Sequence, residues 1–267
     1  MSATDDFLTE MTARRRAAVA SAANPVDFVS AGSERDTHDL HGALTSHSDV
    51  AVIAEFKKAS PSVGDIAPDA DPAERAAAYE AGGAAAMSVL TEPDSFKGSF
   101  DDIKVARDST VLPILCKDFI VHHDQLLQAR AAGADAVLLM VSVLGERTAA
   151  FVAGAQARGL EPLVEVHGEA EYEIARSAGA RIIGVNARDL CTLEVDRAGS
   201  FALVERAVRD GFCVVAESGI RTRNDVAEVA AAGAHAVLVG ESLMRADDPR
   251  EAVKALTGVG RRARAPS

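Results

Sequence analysis

Apolar residues along this chain fall into two alternating textures. Short unbroken apolar runs follow longer stretches in which apolar positions recur every three or four residues. Four passages have nearly the same wording: "EAGGAAAMSVL" (80–90), "AAGADAVLLM" (131–140), "SAGARIIGV" (177–185) and "AAGAHAVLVG" (231–240). Each closes a helical pattern, passes through glycine and enters a short apolar run. The stretch before the second, "HDQLLQARAAG", sets Leu126, Leu127 and Arg130 at helical spacing. A glycine just past the last turn fits a left-handed helix cap, since it has no Cβ to clash. The apolar runs do not alternate strictly with polar residues, so both of their faces are expected to be buried, as in a parallel sheet covered by helices.

The glycines of these passages, Gly83, Gly133, Gly179 and Gly233, recur roughly every 50 residues, about twice the length of one strand–helix unit. A further strand is therefore expected within each interval. "VLPILCKDF" (111–119), "LEPLVEVH" (160–167) and "FCVVAESGI" (212–220) supply them, and "VAVIAEFKK" (50–58) opens the series. The eight strands end near Lys57, Thr91, Lys117, Ser142, Glu165, Asn186, Glu217 and Gly240. Eight units of this length predict an α/β fold, a (β/α)8 TIM barrel. A doubly wound open sheet is the alternative, but it usually has fewer strands and a glycine fingerprint after the first, and no G-x-G-x-x-G stands there. Residues 1–48 are expected to form an N-terminal helical extension, with a helix in "FLTEMTARRRAAVA" (7–20) and a polar, irregular stretch at 30–48. Residues 49–257 are the expected barrel, and 258–267 ("GVGRRARAPS") a disordered, mildly basic tail.

Composition narrows the function more than the fold. Of 267 residues, 48% are hydrophobic and 25% charged, which is globular, and the net charge is −12. That balance argues against nucleic acid and anionic membrane surfaces as partners, but a few local lysines could still attract a small anion. Cys116, Cys191 and Cys213 are far apart and form no C-x-x-C pattern, which fits a reducing cytoplasm. No apolar run approaches the ~20 residues of a membrane span, and the N-terminus has no secretory pattern.

The candidate chemistry lies at the strand ends. Residues two apart in a strand share a face, so Glu55 and Lys57 point the same way while Phe56 faces the helices. Leu115 and Lys117 share a face in the third strand, as do Leu163 and Glu165 in the fifth. In each pair the apolar residue fills the barrel and the charged one projects into its C-terminal mouth, where barrel enzymes place their catalytic groups. Structural ion pairing at the rim is the alternative for any one of these residues. For Glu55, Lys57, Lys117, Glu165, Asn186 and Glu217 together function is the better explanation, because burying a charge costs several kcal/mol, that is about 3 or more, before pairing. After the last two strands, "ESGI" (217–220) and "VGESLM" (239–244) offer Ser218, Gly219, Gly240 and Glu241 in turns that can direct backbone N–H groups at a phosphate. His122 and His123 read as a helix N-terminal turn and not as metal ligands. His167 reads as a supporting neighbour of Glu165, and Cys116 as core.

Taken together, "IAEFKKASPS", "AYEAGGAAAMSVLTEPDSFKGS", "PILCKDFIV", "LVEVH", "IIGVNARDL", "VAESGI" and "VLVGESLM" resemble the indole-3-glycerol phosphate synthase family of tryptophan biosynthesis, over residues 50–245. The resemblance implies conversion of a carboxyphenylamino-deoxyribulose phosphate to indole glycerol phosphate with loss of CO2 and water. It implies Lys117 as general acid, Glu165 as acid/base partner, and Lys57 at the substrate carboxylate. Glu55, Asn186, Glu217 and Ser218 complete the site, Phe119 and Arg188 shape it, and Ser60, Gly219, Gly240 and Glu241 belong to the phosphate side. It implies no metal and no organic cofactor, a phosphorylated small molecule as the partner, and a monomer or weak homo-oligomer. Two features depart from the family. Val63 stands where many relatives have lysine after Ser-Pro-Ser, and the N-terminal segment matches poorly, so a role in covering the mouth is only carried over. The rival readings are a lysine Schiff-base aldolase using Lys57 or Lys117, the isomerase acting one step earlier, whose pattern has a strand-one cysteine, and a phosphosugar sensor on an inactive barrel.

Overall fold

A computed structural model describes residues 5–21, 37–188 and 195–261. Eight parallel strands close into one barrel: β1 (Ala51–Phe56), β2 (Ala86–Leu90), β3 (Ile114–Lys117), β4 (Ala136–Met140), β5 (Glu161–Val166), β6 (Ile182–Asn186), β7 (Cys213–Glu217) and β8 (Ala236–Val239). They neighbour one another in chain order, and β8 returns to β1 with Ala51 opposite Ala236 and Ala54 opposite Val239. The closed sheet has no free edge. The expected barrel is therefore the observed one.

The period-two pattern divides the apolar residues into two layers. Ile53, Leu115, Leu138, Leu163, Ile182, Val215 and Leu238 pack inside the barrel. Phe56, Val89, Cys116, Val164, Ile183 and Val237 pack outward against the helices. The helices α3 (Pro72–Ala81), α4 (Phe100–Arg107), α5 (His123–Ala132), α6 (Thr148–Gln156), α7 (Glu169–Ser177), α8 (Arg197–Arg209), α9 (Arg223–Ala231) and α10 (Pro249–Leu256) form the outer shell, each numbered after α1 and α2 below. Gly83, Gly133, Gly179 and Gly233 have φ between 88° and 101°, so the repeated glycine does make the left-handed turn from helix to strand.

The extension before the barrel covers both of its ends. Helix α1 (Asp5–Ser21) contains the expected 7–20 segment and lies at the C-terminal mouth. There Met11 joins the inner core, Phe7 meets Phe119 edge-on at 6.4 Å, and Arg15 forms a buried ion pair with Asp118. Helix α2 (Leu40–Thr45) falls within the stretch expected to be irregular, which corrects that expectation. Asp39 caps it by accepting from Gly42 N at 2.9 Å. Leu40 and Leu44, four apart and so on one face, are fully buried in the inner core. The many polar residues around those two leucines hide the pattern. Residues 30–36 lie outside the described residues.

The tail also differs from expectation in part. Val50 N donates to Val259 O at 2.8 Å, Arg261 N donates to Ser48 O at 2.9 Å, and Asp49 bridges to Gly260. The chain thus closes across the entry to β1, and residues 262–267 lie outside the described residues. Among the described residues no helix is long and apolar enough to cross a membrane.

Leu44→Ala should lower unfolding stability by about 2–5 kcal/mol in a denaturant titration, with activity per folded molecule unchanged. A loss under about 1 kcal/mol would show that α2 is not part of the barrel's core.

Candidate active site

The strand C-termini open into one cleft of about 1180 Å³, which includes the solvent at its top. Glu55, Lys57, Ser60, Lys117, Phe119, Glu165, Asn186, Arg188, Ser218, Gly219, Gly240 and Glu241 all line it. Glu217 does not, although the sequence placed it among the substrate contacts. It sits beneath the floor, nearly fully buried, and meets the cleft residues Lys117 and Glu165 from below.

The floor is a row of alternating charges. Lys57 Nζ lies 2.8 Å from Glu55 Oε1, Lys117 Nζ lies 3.0 Å from Glu55 Oε2, and Lys117 Nζ lies 3.1 Å from Glu217 Oε2. Strand periodicity aims these side chains inward, and two glycines make room for them. A Cβ on Gly184 would lie 2.4 Å from Glu217 Oε1, and a Cβ on Gly240 only 2.2 Å from Glu55 Oε1. Gly240 therefore does more than expose backbone, because any side chain there would displace Glu55. Gly184 was not singled out from the sequence. Its only signal is a small residue inside an otherwise bulky apolar strand, which marks a close approach of some kind but not its partner.

Burial and pairing compete at each of these groups. Burial alone would raise the Glu55 carboxyl, but the Lys117 and Lys57 ammoniums outweigh it and hold it at about 2. Burial alone would lower the Lys117 ammonium, but Glu55, Glu217 and Glu165 together raise it above its ordinary value. Glu217 has only Lys117 in its favour. Burial, together with the Glu165 carboxyl within hydrogen-bonding reach, pushes it up to about 8. Two buried carboxylates side by side cannot both ionise cheaply, and Glu217 is the one pushed up.

On the far side of the cleft, Ser218 and Gly219 adopt φ of 67° and 74°. Left-handed backbone is uncommon for serine. It is held there by the Ser218 hydroxyl, which donates to Asn186 Oδ1 at 2.7 Å. Arg188 N donates to the same oxygen at 3.0 Å, so Asn186 turns its amide NH2 toward a ligand. Just beyond this turn the N–H groups of Arg221 and Thr222 are taken by Asp225, so they are not donors for the cleft. The donors left on this side belong to the left-handed Ser218–Gly219 turn and to the first turn of the short helix Glu241–Met244.

Several cleft residues escaped the sequence reading. Phe7 and Phe96 flank Phe119, at 6.4 and 6.3 Å between ring centroids, and make an apolar wall. The buried carboxylate of Glu92 accepts from the N–H groups of Asp94, Ser95 and Phe96 at 3.0, 2.7 and 3.2 Å, which folds the loop carrying Phe96 over the mouth. Arg221 also lines the cleft, next to the Ser218–Gly219 turn. The adjacent histidines stand at the N-terminus of α5, where the sequence put them. His122 caps α5 by accepting from Asp124 N, and His123 stacks on Phe151 at 4.3 Å. Cys116 lies in the outer layer, and Cys191 lies outside the described residues.

Comparison with known proteins agrees with this geometry. The profile of the family described as indole-3-glycerol phosphate synthase matches residues 8–256. Indole-3-glycerol phosphate synthase of Mycobacterium ulcerans is 45% identical over 246 residues, covering 92% of this chain and 85% of the relative. Indole-3-glycerol phosphate synthase 2 of Streptomyces coelicolor is 51% identical over 210 residues, covering 78% and 81%. Among solved structures, a 3-hexulose-6-phosphate synthase superposes with a TM-score of 0.62 at 18% identity, covering 78% of this chain and 98% of that one, which is a likeness of fold alone. The chain belongs to the indole-3-glycerol phosphate synthase family.

The Glu217 shift has a measurable consequence. Between about 4.5 and about 8 the folded protein keeps a proton that the unfolded chain has released, so this group's contribution to stability is lost as pH rises through that window. Glu55 acts in the opposite sense, and its contribution is lost as pH falls from about 4.5 toward about 2. Denaturant midpoints measured against pH should therefore fall less steeply above about 4.5 in Glu217→Gln than in the unsubstituted protein. Parallel curves would show that Glu217 is ionised throughout.

Proposed function

We propose that this chain, as a member of that family, closes the indole ring of indole-3-glycerol phosphate from 1-(2-carboxyphenylamino)-1-deoxyribulose 5-phosphate at this cleft, releasing CO2 and water in tryptophan biosynthesis. One observation carries the assignment of roles. The Lys117 ammonium stands on the cleft floor between two carboxylates that keep it charged.

The reaction needs an acid at the ketone oxygen while the aromatic carbon bearing the carboxylate attacks the carbonyl carbon. Lys117 is placed to give that proton. The C–C bond to the carboxylate then breaks, its electron pair returns to the ring, and CO2 leaves. Glu165 protonates the departing hydroxyl and takes a proton from the adjacent carbon, so it ends as it began. Lys57 meets the substrate carboxylate, and Glu55 holds both lysines in register. The Phe7, Phe96 and Phe119 wall takes the aromatic ring, and Asn186, Ser218 and Arg188 hold the hydroxylated chain. The phosphate reaches the Ser218–Gly219 turn and the Glu241–Met244 helix start, with Ser60 across from them.

Val63 is 41% exposed in the loop after β1 and brings no cation to that side. In this reading an N-terminal extension, of which α1 lies over the mouth, precedes an acid–base catalytic barrel of residues 49–257. Each step is a proton transfer or a heterolytic bond cleavage, which calls for no metal or organic cofactor. The reading places the chain in the cytoplasm as a monomer or weak homo-oligomer, acting on a small phosphorylated substrate without nucleic acid or membrane.

Purified protein given this substrate should form indole-3-glycerol phosphate, followed by indole absorbance, and absence of product would overturn the reading. Lys117→Ala should lower turnover roughly 10²-fold or more while leaving the protein folded, and activity within a few-fold of the unsubstituted protein would remove Lys117 as the acid. Sulfate or phosphate should bind at the ends of β7 and β8 in a ligand-bound crystal. An anion seated elsewhere in the mouth would refute that subsite.

A further inference from the structure

The proton balance of the proposed reaction does not close within the cleft. The substrate carboxylate enters as an anion and leaves as neutral CO2. Glu165 gives one proton to the hydroxyl and recovers one from carbon. Lys117 gives one to the ketone oxygen and recovers none from the substrate. Each turnover therefore draws one proton from solvent, and it must reach Lys117.

A line of side chains leads there from outside the cleft. Lys117 Nζ is 3.1 Å from Glu217 Oε2, and Glu217 is within hydrogen-bonding reach of Glu165. Glu165 Oε1 is 3.4 Å from His167 Nε2, and His167 Nδ1 is 3.2 Å from Glu171 Oε2. The Glu171 side chain is 26% exposed, and neither it nor His167 lines the cleft. Lys117's other neighbour, Glu55, leads only to Lys57, which faces the cleft and is covered when a ligand fills it.

The orientation of the imidazole is set. Glu171, at the start of α7, accepts from His167 N at 2.8 Å and faces Nδ1, which turns Nε2 to Glu165. Glu217 Oε1, Glu165 Oε1 and His167 Nε2 are all buried and have no hydrogen-bond partner. Buried polar atoms are rarely left so. A proton held on Glu217, Glu165 or His167 supplies the donor that this group of atoms otherwise lacks. Burial would lower the His167 imidazolium, but Glu171, Glu165 and Glu217, the carboxylates that act on it, raise it.

We propose that Glu171, His167, Glu165 and Glu217 form a proton line that reloads Lys117 from solvent after each turnover, with His167 as the residue that positions and refills Glu165. A proton enters at Glu171, passes to His167 Nδ1 as the Nε2 proton moves to Glu165, and continues through Glu217 to the neutral Lys117 amine. Charge and proton count then return to their starting values. The inference rests on the role given to Lys117 above.

The test compares steady-state with single-turnover kinetics for His167→Asn, and for Glu171→Gln, which keeps an acceptor for His167 N. Decarboxylation is irreversible and reloading follows it, so reloading limits kcat and not kcat/KM. Both variants should lose roughly 10-fold or more in kcat and keep kcat/KM within about threefold. The single-turnover rate with enzyme in excess should be normal, and added imidazole should restore kcat for His167→Asn. Unchanged kcat, or a parallel fall of kcat and kcat/KM that imidazole does not relieve, would overturn the line. Failure of the functional reading looks different, since the unsubstituted protein would then form no product or Lys117→Ala would remain active.

Discussion

Two lysine ammoniums share one buried carboxylate, and the rest of the mouth is arranged around that fact. Glu55 touches both Lys57 and Lys117, and it is the first of the three carboxylates that hold the Lys117 ammonium against the cost of burial. The arrangement leaves the Lys117 ammonium bound on both sides, which makes it a weak acid in the resting state. On the role proposed for it, Lys117 gives up this proton only when a substrate carbonyl competes for it at the right place. An acid held this way is positioned more than activated, and its selectivity comes from geometry.

The barrel supplies that geometry by spacing alone. The inner face runs from apolar rungs through Ile53, Leu115 and Leu163 to charged ends at Glu55, Lys117 and Glu165, all by the two-residue period of a strand. The same closed sheet that excludes water from the core fixes the height of each charge above it. Space for the carboxylates is then made by omission, at Gly184 and Gly240, where a methyl group would collide with them. The cover over the mouth is held by the same principle, because Arg15 on α1 pairs with Asp118, the residue after Lys117, and Thr91 donates to that carboxylate at 2.8 Å. The extension is thereby tied to the strand that carries the acid.

Much of this was legible along the chain because period and position both carry it. The repeated glycine-to-strand passages located the barrel units, and the same-face rule put Glu55, Lys57, Lys117 and Glu165 in one mouth. Other features were hidden because they depend on partners distant in sequence. Leu40 and Leu44 are only two apolar positions among polar ones, and their burial follows from the open barrel end beneath them. Glu217 was recognised as part of the mouth but not as lying under the floor, since strand spacing gives a face and not a depth. Arg15, Phe7 and Phe96 approach from other segments, and no local pattern reports that.

The most direct measurement is the pH dependence of kcat/KM for Glu55→Gln. If Glu55 is the main carboxylate holding the Lys117 ammonium, replacing it with a neutral group of the same size lets Lys117 lose its proton more easily. The alkaline limb of the profile should then move to lower pH and the plateau should fall, with a smaller loss of stability because a neutral amine tolerates burial. An unmoved alkaline limb and near-normal kcat/KM per folded molecule, together with a stability loss of roughly 3 kcal/mol or more, would show that Glu55 only holds the barrel together.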